Sequence, residues 1–250
     1  MNRRWVLLTA GAAALIVGAV VAFVVLATPR VGDRQDAAPV VVPQAAPAPA
    51  LAAEPGPGLP GLVDREWAQK ISDATGIPVT AVVAYAGGAL GAEWNFPECG
   101  ISWNTLAAIG LVESDHGRHD GSAAGDDGVV RPPIYGVALN GDGVVLIPDT
   151  DGGELDGDAE HDRAVGPMQI IPQTWRSWVF DAEGDGTTDP QNFYDAAVAA
   201  GDYLCHASGG MSTDEGWLSA IASYNAGDVY LRNVAEAAQR YADAAASVTG

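Results

Sequence analysis

The chain is 250 residues long, 48% hydrophobic, with 32 acidic residues against 12 Lys and Arg and a formal charge of -20. That balance excludes nucleic acid as a partner, because binders of either strand form need a positive footprint to displace counterions. It also excludes compositional disorder, although the average covers three unlike segments.

Residues 1–4 form a short basic end, Arg3 and Arg4 included. Residues 5–27 are 23 consecutive uncharged, mostly apolar residues, which at about 1.5 Å per residue reach about 35 Å and span a bilayer. A cleavable signal has a shorter apolar region followed by a small-residue cleavage site. The run is therefore expected to be an uncleaved single-pass signal anchor, with cleavage as the alternative. Arg3 and Arg4 keep the amino end in the cytoplasm and leave the rest outside, although Arg30 and Arg34 weaken the asymmetry.

Residues 28–60 hold eight of the sixteen prolines, in strings such as PQAAPAPA and EPGPGLP. They read as a semi-rigid extended spacer that holds the next segment off the membrane. Residues 61–250 suffice for one domain with a real core, and they carry 29 of the 32 acids. Cys99 and Cys205 both lie there. An even count outside the cytoplasm suggests a disulfide, with two separate buried thiols as the other reading. Closing a loop of about 107 residues would restrict the unfolded chain by about 4 to 5 kcal/mol in the entropy model.

Apolar spacing and punctuation predict a mainly α domain. Asp64 caps a helix through Asp73 that ends at Gly76. Pro78 opens another toward Ala86, before the glycines of GGALGAEW. Ser102 precedes a run from Trp103 to Ser114, and Pro172 starts a short helix through Val179. Asp189 and Pro190 start a long one reaching Cys205. Ser212 with Glu215 has the spacing of a capping box for a helix ending near Ala222, and Asp228 begins a last helix to about Ala246. Between Gly117 and Arg163 the chain is rich in Gly and Asp, and only Tyr135 to Ile147, with NGDG in the middle, suits a hairpin. A connection that long is usually functional or disordered.

The helix WNTLAAIGLVES carries the first chemical signal. Leu106, Ile109 and Gly110 stand at i, i+3 and i+4, and Glu113 falls at i+7, so its carboxylate continues the stripe that faces the core. Desolvation there and the negative helix end would raise its pKa, as a general acid near neutral pH requires. The bland reading is a buried ion pair with Arg118 or Arg163. Further on, RAVGPMQIIPQTW places Gln169 before a helix with Trp175 and Trp178, and SYNAG places Tyr224 and Asn225 at a helix end. Each string alone also suits a turn and a core helix.

Taken in order, IGLVESDHGR, AVGPMQIIPQTW and SYNAG resemble the lytic murein transglycosylases with a lysozyme-like fold. CGISW, PDTDGGELDGD and GDGTTDPQN add a resemblance to the membrane-bound B type in its actinobacterial form. The likeness covers about Trp94 to Tyr241. It implies a peptidoglycan-cleaving enzyme, held at the cell membrane by its N-terminal helix, that binds glycan strands, needs no cofactor and forms a 1,6-anhydromuramic product. Glu113 would be the single catalytic acid and base. Gln169 would line the cleft, Tyr224 would hydrogen-bond Glu113, Asn225 would contact substrate and Ser114 would assist. Asp115, Asp120 and Asp162 leave a two-carboxylate muramidase as the rival mechanism, and a silent wall-binding module is the rival from another class. Protein partners are not legible.

DAEGDGTTDPQN offers Asp181, Glu183, Asp185, Thr187 and Asp189 as oxygen ligands, the first two-thirds of a calcium loop. Asn192 stands where a bidentate Glu belongs, so a simple Asp-Gly turn is the alternative; some related transglycosylases carry a calcium loop nearby. The cluster PDTDGGELDGDAEHD lacks a regular ligand order and reads as solvated loop. His116, His119, His161 and His206 have no zinc-like pairing, although His116 and His119 follow Glu113 closely enough to reach substrate.

Overall fold

A computed structural model describes residues 39–249. The expected anchor (5–27) and the first part of the expected spacer (28–38) lie outside the described residues. Seven helices carry the domain: α1 (Arg65–Thr75), α2 (Val79–Asn95), α3 (Trp103–Ser114), α4 (Pro172–Trp178), α5 (Phe193–Ser208), α6 (Asp214–Tyr224) and α7 (Asp228–Thr249). The mainly α expectation holds, and α1 starts and stops as its punctuation predicts. The Asp64 carboxylate accepts from Trp67 N–H and Gly76 closes the helix in the left-handed region.

The glycines after Ala86 do not end α2, which runs on to Asn95. They are a packing surface. A Cβ at Gly88 would stand 2.8 Å from the Ala197 carbonyl oxygen of α5, and one at Gly201 would stand 3.0 Å from the Ala92 Cβ. The missing side chains let α2 and α5 approach closely, and that contact repays the low helix propensity of glycine. α2 is apolar all round and buried almost throughout its first three turns, as a central helix should be. Among the described residues no single helix is long and apolar enough to cross a membrane. α3 lies against both α2 and α7, and Leu106, Ile109 and Trp103 sit in the same core.

Two helix starts differ from expectation. Asn192, rather than Asp189, caps α5, its side chain accepting from Tyr194 N–H. Thr213, rather than Ser212, caps α6 by accepting from Gly216 N–H. Cys99 and Cys205 form the expected disulfide, Cα–Cα 5.4 Å, which ties the turn after α2 to the end of α5.

The spacer reading is corrected for its second half. Residues 39–60 are a strap on the domain. Asn104, in the first turn of α3, accepts from Ala46 N–H and donates to the carbonyls of Gln44 and Ala238. Trp103 Nε1 donates to Pro47 O at 3.0 Å, and Leu59 N–H donates to Ala182 O at 2.8 Å. An extended Pro-rich chain leaves its own backbone groups unpaired, so side chains of α3 and α7 can take them up. Residues 40–60 are therefore packed as part of the domain together with those from 61 onward.

Between Gly117 and Arg163 there is one short antiparallel ladder, β1 (Ala123–Ala124) with β2 (Val130–Arg131). The expected hairpin is reduced to a single bridge, Asn140 with Leu146, beside Pro148 with His161. The acids explain the rest. Asp149, Asp151, Asp156 and Asp158 each accept backbone N–H groups of their own loop, so local turns replace strand pairing.

Candidate active site

Glu113 stands in the last turn of α3, above Leu106 and Ile109, which are fully buried. Its Oε1 accepts a 2.7 Å hydrogen bond from the Tyr230 hydroxyl, in the first turn of α7. Burial pushes the carboxyl up to about 7 against an ordinary 4.5, and the Tyr230 bond, which favours the carboxylate, only partly offsets it. The phenols of Tyr224 and Tyr230 are held well above their ordinary range, chiefly by burial and then by Glu113 itself. Both remain protonated donors wherever Glu113 titrates.

The ion-pair reading of Glu113 does not hold. Arg118 pairs with Asp115 at 2.7 Å and Arg163 with Asp158 at 2.8 Å. Of the acids that would have supported a second-carboxylate mechanism, Asp115 and Asp162 have partners of their own. Asp162 is fully buried and accepts from Thr150 N–H and Oγ1, both at 2.8 Å, and Asp120 lies exposed beside His119. Glu113 can thus release and retake a proton near neutral pH.

Gln169 and Tyr224 share one small cavity, and two of the expected roles are corrected. Tyr224 does not bond Glu113; its hydroxyl donates to Met168 O at 2.6 Å and its ring meets Tyr203 edge-on. The bond expected of it belongs to Tyr230. The only sequence trace of Tyr230 is an aromatic in the first turn of the last helix, a pattern shared with any core tyrosine. Ser114 is buried and does not face a cleft: it donates to Pro167 O at 2.6 Å and accepts from Gly117 N–H at 2.8 Å. It staples the end of α3 to the segment carrying Gln169. Gln169 holds a left-handed backbone (φ 49) and donates to Gly166 O at 2.9 Å. With Tyr224 it walls a small cavity completed by Ile170, Thr174 and Tyr203. Asn225 is buried, and its side-chain oxygen accepts from Gly227 N–H.

The acidic loop after α4 gathers differently from the linear reading. Asp181 and Glu183 meet Asp195 of α5, carboxylate oxygens lying within 4.8 Å of one another. Asp185 and Asp189 stay outside this group: Asp185 accepts from Thr187 N–H and Asp189 from Gln191 N–H. Desolvation pushes the neighbouring Asp195 and Glu183 carboxyls up, and one buried Glu183 oxygen receives no hydrogen bond from the surrounding donors. Oxygen-only donors with a buried unpaired carboxylate atom suit a hard cation such as calcium. Such an ion would fasten the loop to α5 and supply no bond-breaking chemistry. Asp149, Asp151 and Asp162 form a second acidic group.

A model of the Transglycosylase SLT domain matches residues 97–246, which contain Glu113, Gln169, Tyr224 and Tyr230. The fold and site thus define a lytic transglycosylase acting on peptidoglycan. The chain belongs to the Transglycosylase SLT domain family. The Escherichia coli lytic transglycosylase Slt35 in complex with bulgecin A is similar at 15% identity, covering 74% of this chain and 79% of that one with a TM-score of 0.40. Slt35 in complex with calcium gives 13% identity, the same coverage of 74% and 79%, and a TM-score of 0.41. No curated protein is matched.

Proposed function

We propose that the chain cleaves the β-1,4 bond between N-acetylmuramic acid and N-acetylglucosamine with formation of a 1,6-anhydromuramic end, using Glu113 as the only catalytic carboxylate. The observation that carries this is the Glu113 carboxyl, raised to about 7 by burial and bonded to Tyr230. Protonated Glu113 gives its proton to the glycosidic oxygen as the bond to C1 breaks. The Tyr230 hydroxyl stabilises the carboxylate left behind. That carboxylate then takes the proton from the C6 hydroxyl while O6 closes on C1. One C–O bond breaks and one forms, Glu113 ends protonated, and water is not consumed, so no second carboxylate is needed. Gln169, a neutral amide in the wall of the small cavity, supplies hydrogen bonds suited to acetamido sugars, and Tyr224 holds the Met168 turn beside it, while Asn225, buried against Gly227, shapes the turn after α6.

The role is cell-wall remodelling from a membrane anchor at residues 5–27, in the manner of the membrane-bound B type. The supports are the 23-residue apolar run and the motif set CGISW, PDTDGGELDGD and GDGTTDPQN. Zymography on peptidoglycan with wild type and Glu113→Gln, joined to mass spectrometry of the released glycan, tests the reading. Anhydro ends, lighter by one water, from wild type alone support it. Reducing ends alone would assign a hydrolytic muramidase, and equal clearing by Glu113→Gln would remove Glu113 from the chemistry.

A further inference from the structure

The end of α3 is built unusually. Asp115 and His116 both adopt left-handed backbone, φ 51 and 58, a conformation that costs non-glycine residues about 1 kcal/mol each. The reversal closes the helix through Asp115 N–H to Leu111 O at 3.0 Å and His116 N–H to Gly110 O at 2.9 Å. It also turns the His116 ring back into the core, where the residue is 2% exposed, so His116 cannot touch substrate.

Both ring nitrogens are engaged. Nδ1 lies 2.9 Å from the Tyr85 hydroxyl of α2, and Nε2 lies 2.9 Å from the Tyr241 hydroxyl of α7. The Tyr85 hydroxyl rests against the turn beneath Glu113 so closely that a Cβ at Gly110 would stand 2.0 Å from it. A neutral ring between two hydroxyls, donating on one side and accepting on the other, thus joins three helices one turn below the acid.

α3 and α7 are then linked by side-chain bonds at two heights: Glu113 to Tyr230, and His116 to Tyr241. A slide of α7 along α3 disturbs both bonds together. We infer that His116, through Tyr85 and Tyr241, is a positioning residue that sets the register of α7 on α3 and thereby the geometry of the Tyr230–Glu113 pair. This deepens the catalytic reading above and rests on it.

Displacement of a catalytic group by about 1 Å can cost about a hundredfold in rate, so the effect belongs in kcat. The full-length chain is assayed on purified peptidoglycan as Tyr241→Phe, His116→Asn, His116→Gly and the double variant His116→Gly/Tyr241→Phe, with Glu113→Gln as control. Asn tolerates the left-handed backbone and can keep the bond to Tyr85, whereas Gly keeps the backbone and loses both. The expected order of kcat is wild type, then Tyr241→Phe and His116→Asn at about a tenth, then His116→Gly at about a hundredth. KM stays unchanged, and the double variant is no slower than His116→Gly alone. Near-UV circular dichroism and Tm identify the folded variants; Tyr241→Phe removes one oxygen atom and decides the matter even where the glycine variant does not fold. Folded Tyr241→Phe and His116→Asn with wild-type kcat would overturn the inference while an inactive Glu113→Gln still upheld the catalytic reading. An active Glu113→Gln would instead overturn that reading.

Discussion

The Tyr230 hydroxyl donates to Glu113 Oε1 at 2.7 Å, joining residues 117 positions apart. The bond favours the carboxylate and therefore opposes the rise in pKa caused by burial. Tyr230→Phe should let the carboxyl rise further, moving the alkaline limb of the pH–activity profile upward. Loss of a hydrogen bond to a charged group should also cut kcat by about ten- to a hundredfold. Measuring kcat from pH 5 to 9 checks both; an unchanged alkaline limb would separate Tyr230 from the ionisation of Glu113.

Glu113 also burdens the fold above neutrality. Its carboxyl ionises near 4.5 when unfolded and near 7 when folded, so its effect on stability is most favourable below 4.5 and is lost as pH rises through 7. The difference corresponds to about 3 kcal/mol. Glu113→Gln should match wild type in unfolding free energy at pH 4 and exceed it by up to that amount at pH 8. Urea unfolding at the two pH values is the measurement.

Asn104 holds the strap at two places, through Ala46 and Gln44, and bonds α7 through Ala238. Asn104→Ala should cost about 2 to 4 kcal/mol, at about 1 kcal/mol per bond, and release residues 39–50 to proteases while α5 and α7 stay protected. Limited proteolysis read by mass spectrometry tests this. A strap equally protected in the variant would mean that the apolar contact of Ala46 and Leu59 suffices to hold it.

The disulfide spans 106 positions, so Cys99→Ser/Cys205→Ser should lose about 4 to 5 kcal/mol in the chain-entropy account. For a domain of this size that is about 10 to 20 °C in Tm. A loss below about 1 kcal/mol would show that the reduced chain is already compact there.

Calcium should raise Tm through Asp181, Glu183 and Asp195, and Asp195→Asn should abolish the rise while Asp185→Asn leaves most of it. Thermal scans with chelator and with millimolar calcium decide this. A rise that depends on Asp185 and not on Asp195 would restore the linear loop reading.

Residues near one another in sequence were read well. Asp64, Gly76 and the stripe of Leu106, Ile109 and Glu113 act over one or two helical turns, so their geometry follows from helical spacing. The motifs IGLVESDHGR, AVGPMQIIPQTW and SYNAG also pointed to the enzyme class that the matching domain model supports. What local spacing could not supply was which distant groups meet. The glycines of α2 read as a break because their value lies in the approach of α5. The likeness carried by SYNAG points to Tyr224 for a bond that Tyr230 makes, since only the docking of α7 decides which hydroxyl reaches the carboxyl.

The chain by itself therefore placed most of the helices and put Glu113 on the core-facing stripe of α3, because periodicity and capping are properties of single segments, while its motifs carried the likeness to the enzyme class. Only the tertiary structure decided the state of that acid: its partner Tyr230, the His116 bridge to Tyr85 and Tyr241, and the strap on α3 all arise where segments more than thirty residues apart are packed together. Burial raises the pKa of Glu113 and the Tyr230 bond partly offsets the rise, and both are made by neighbours that no sequence window contains.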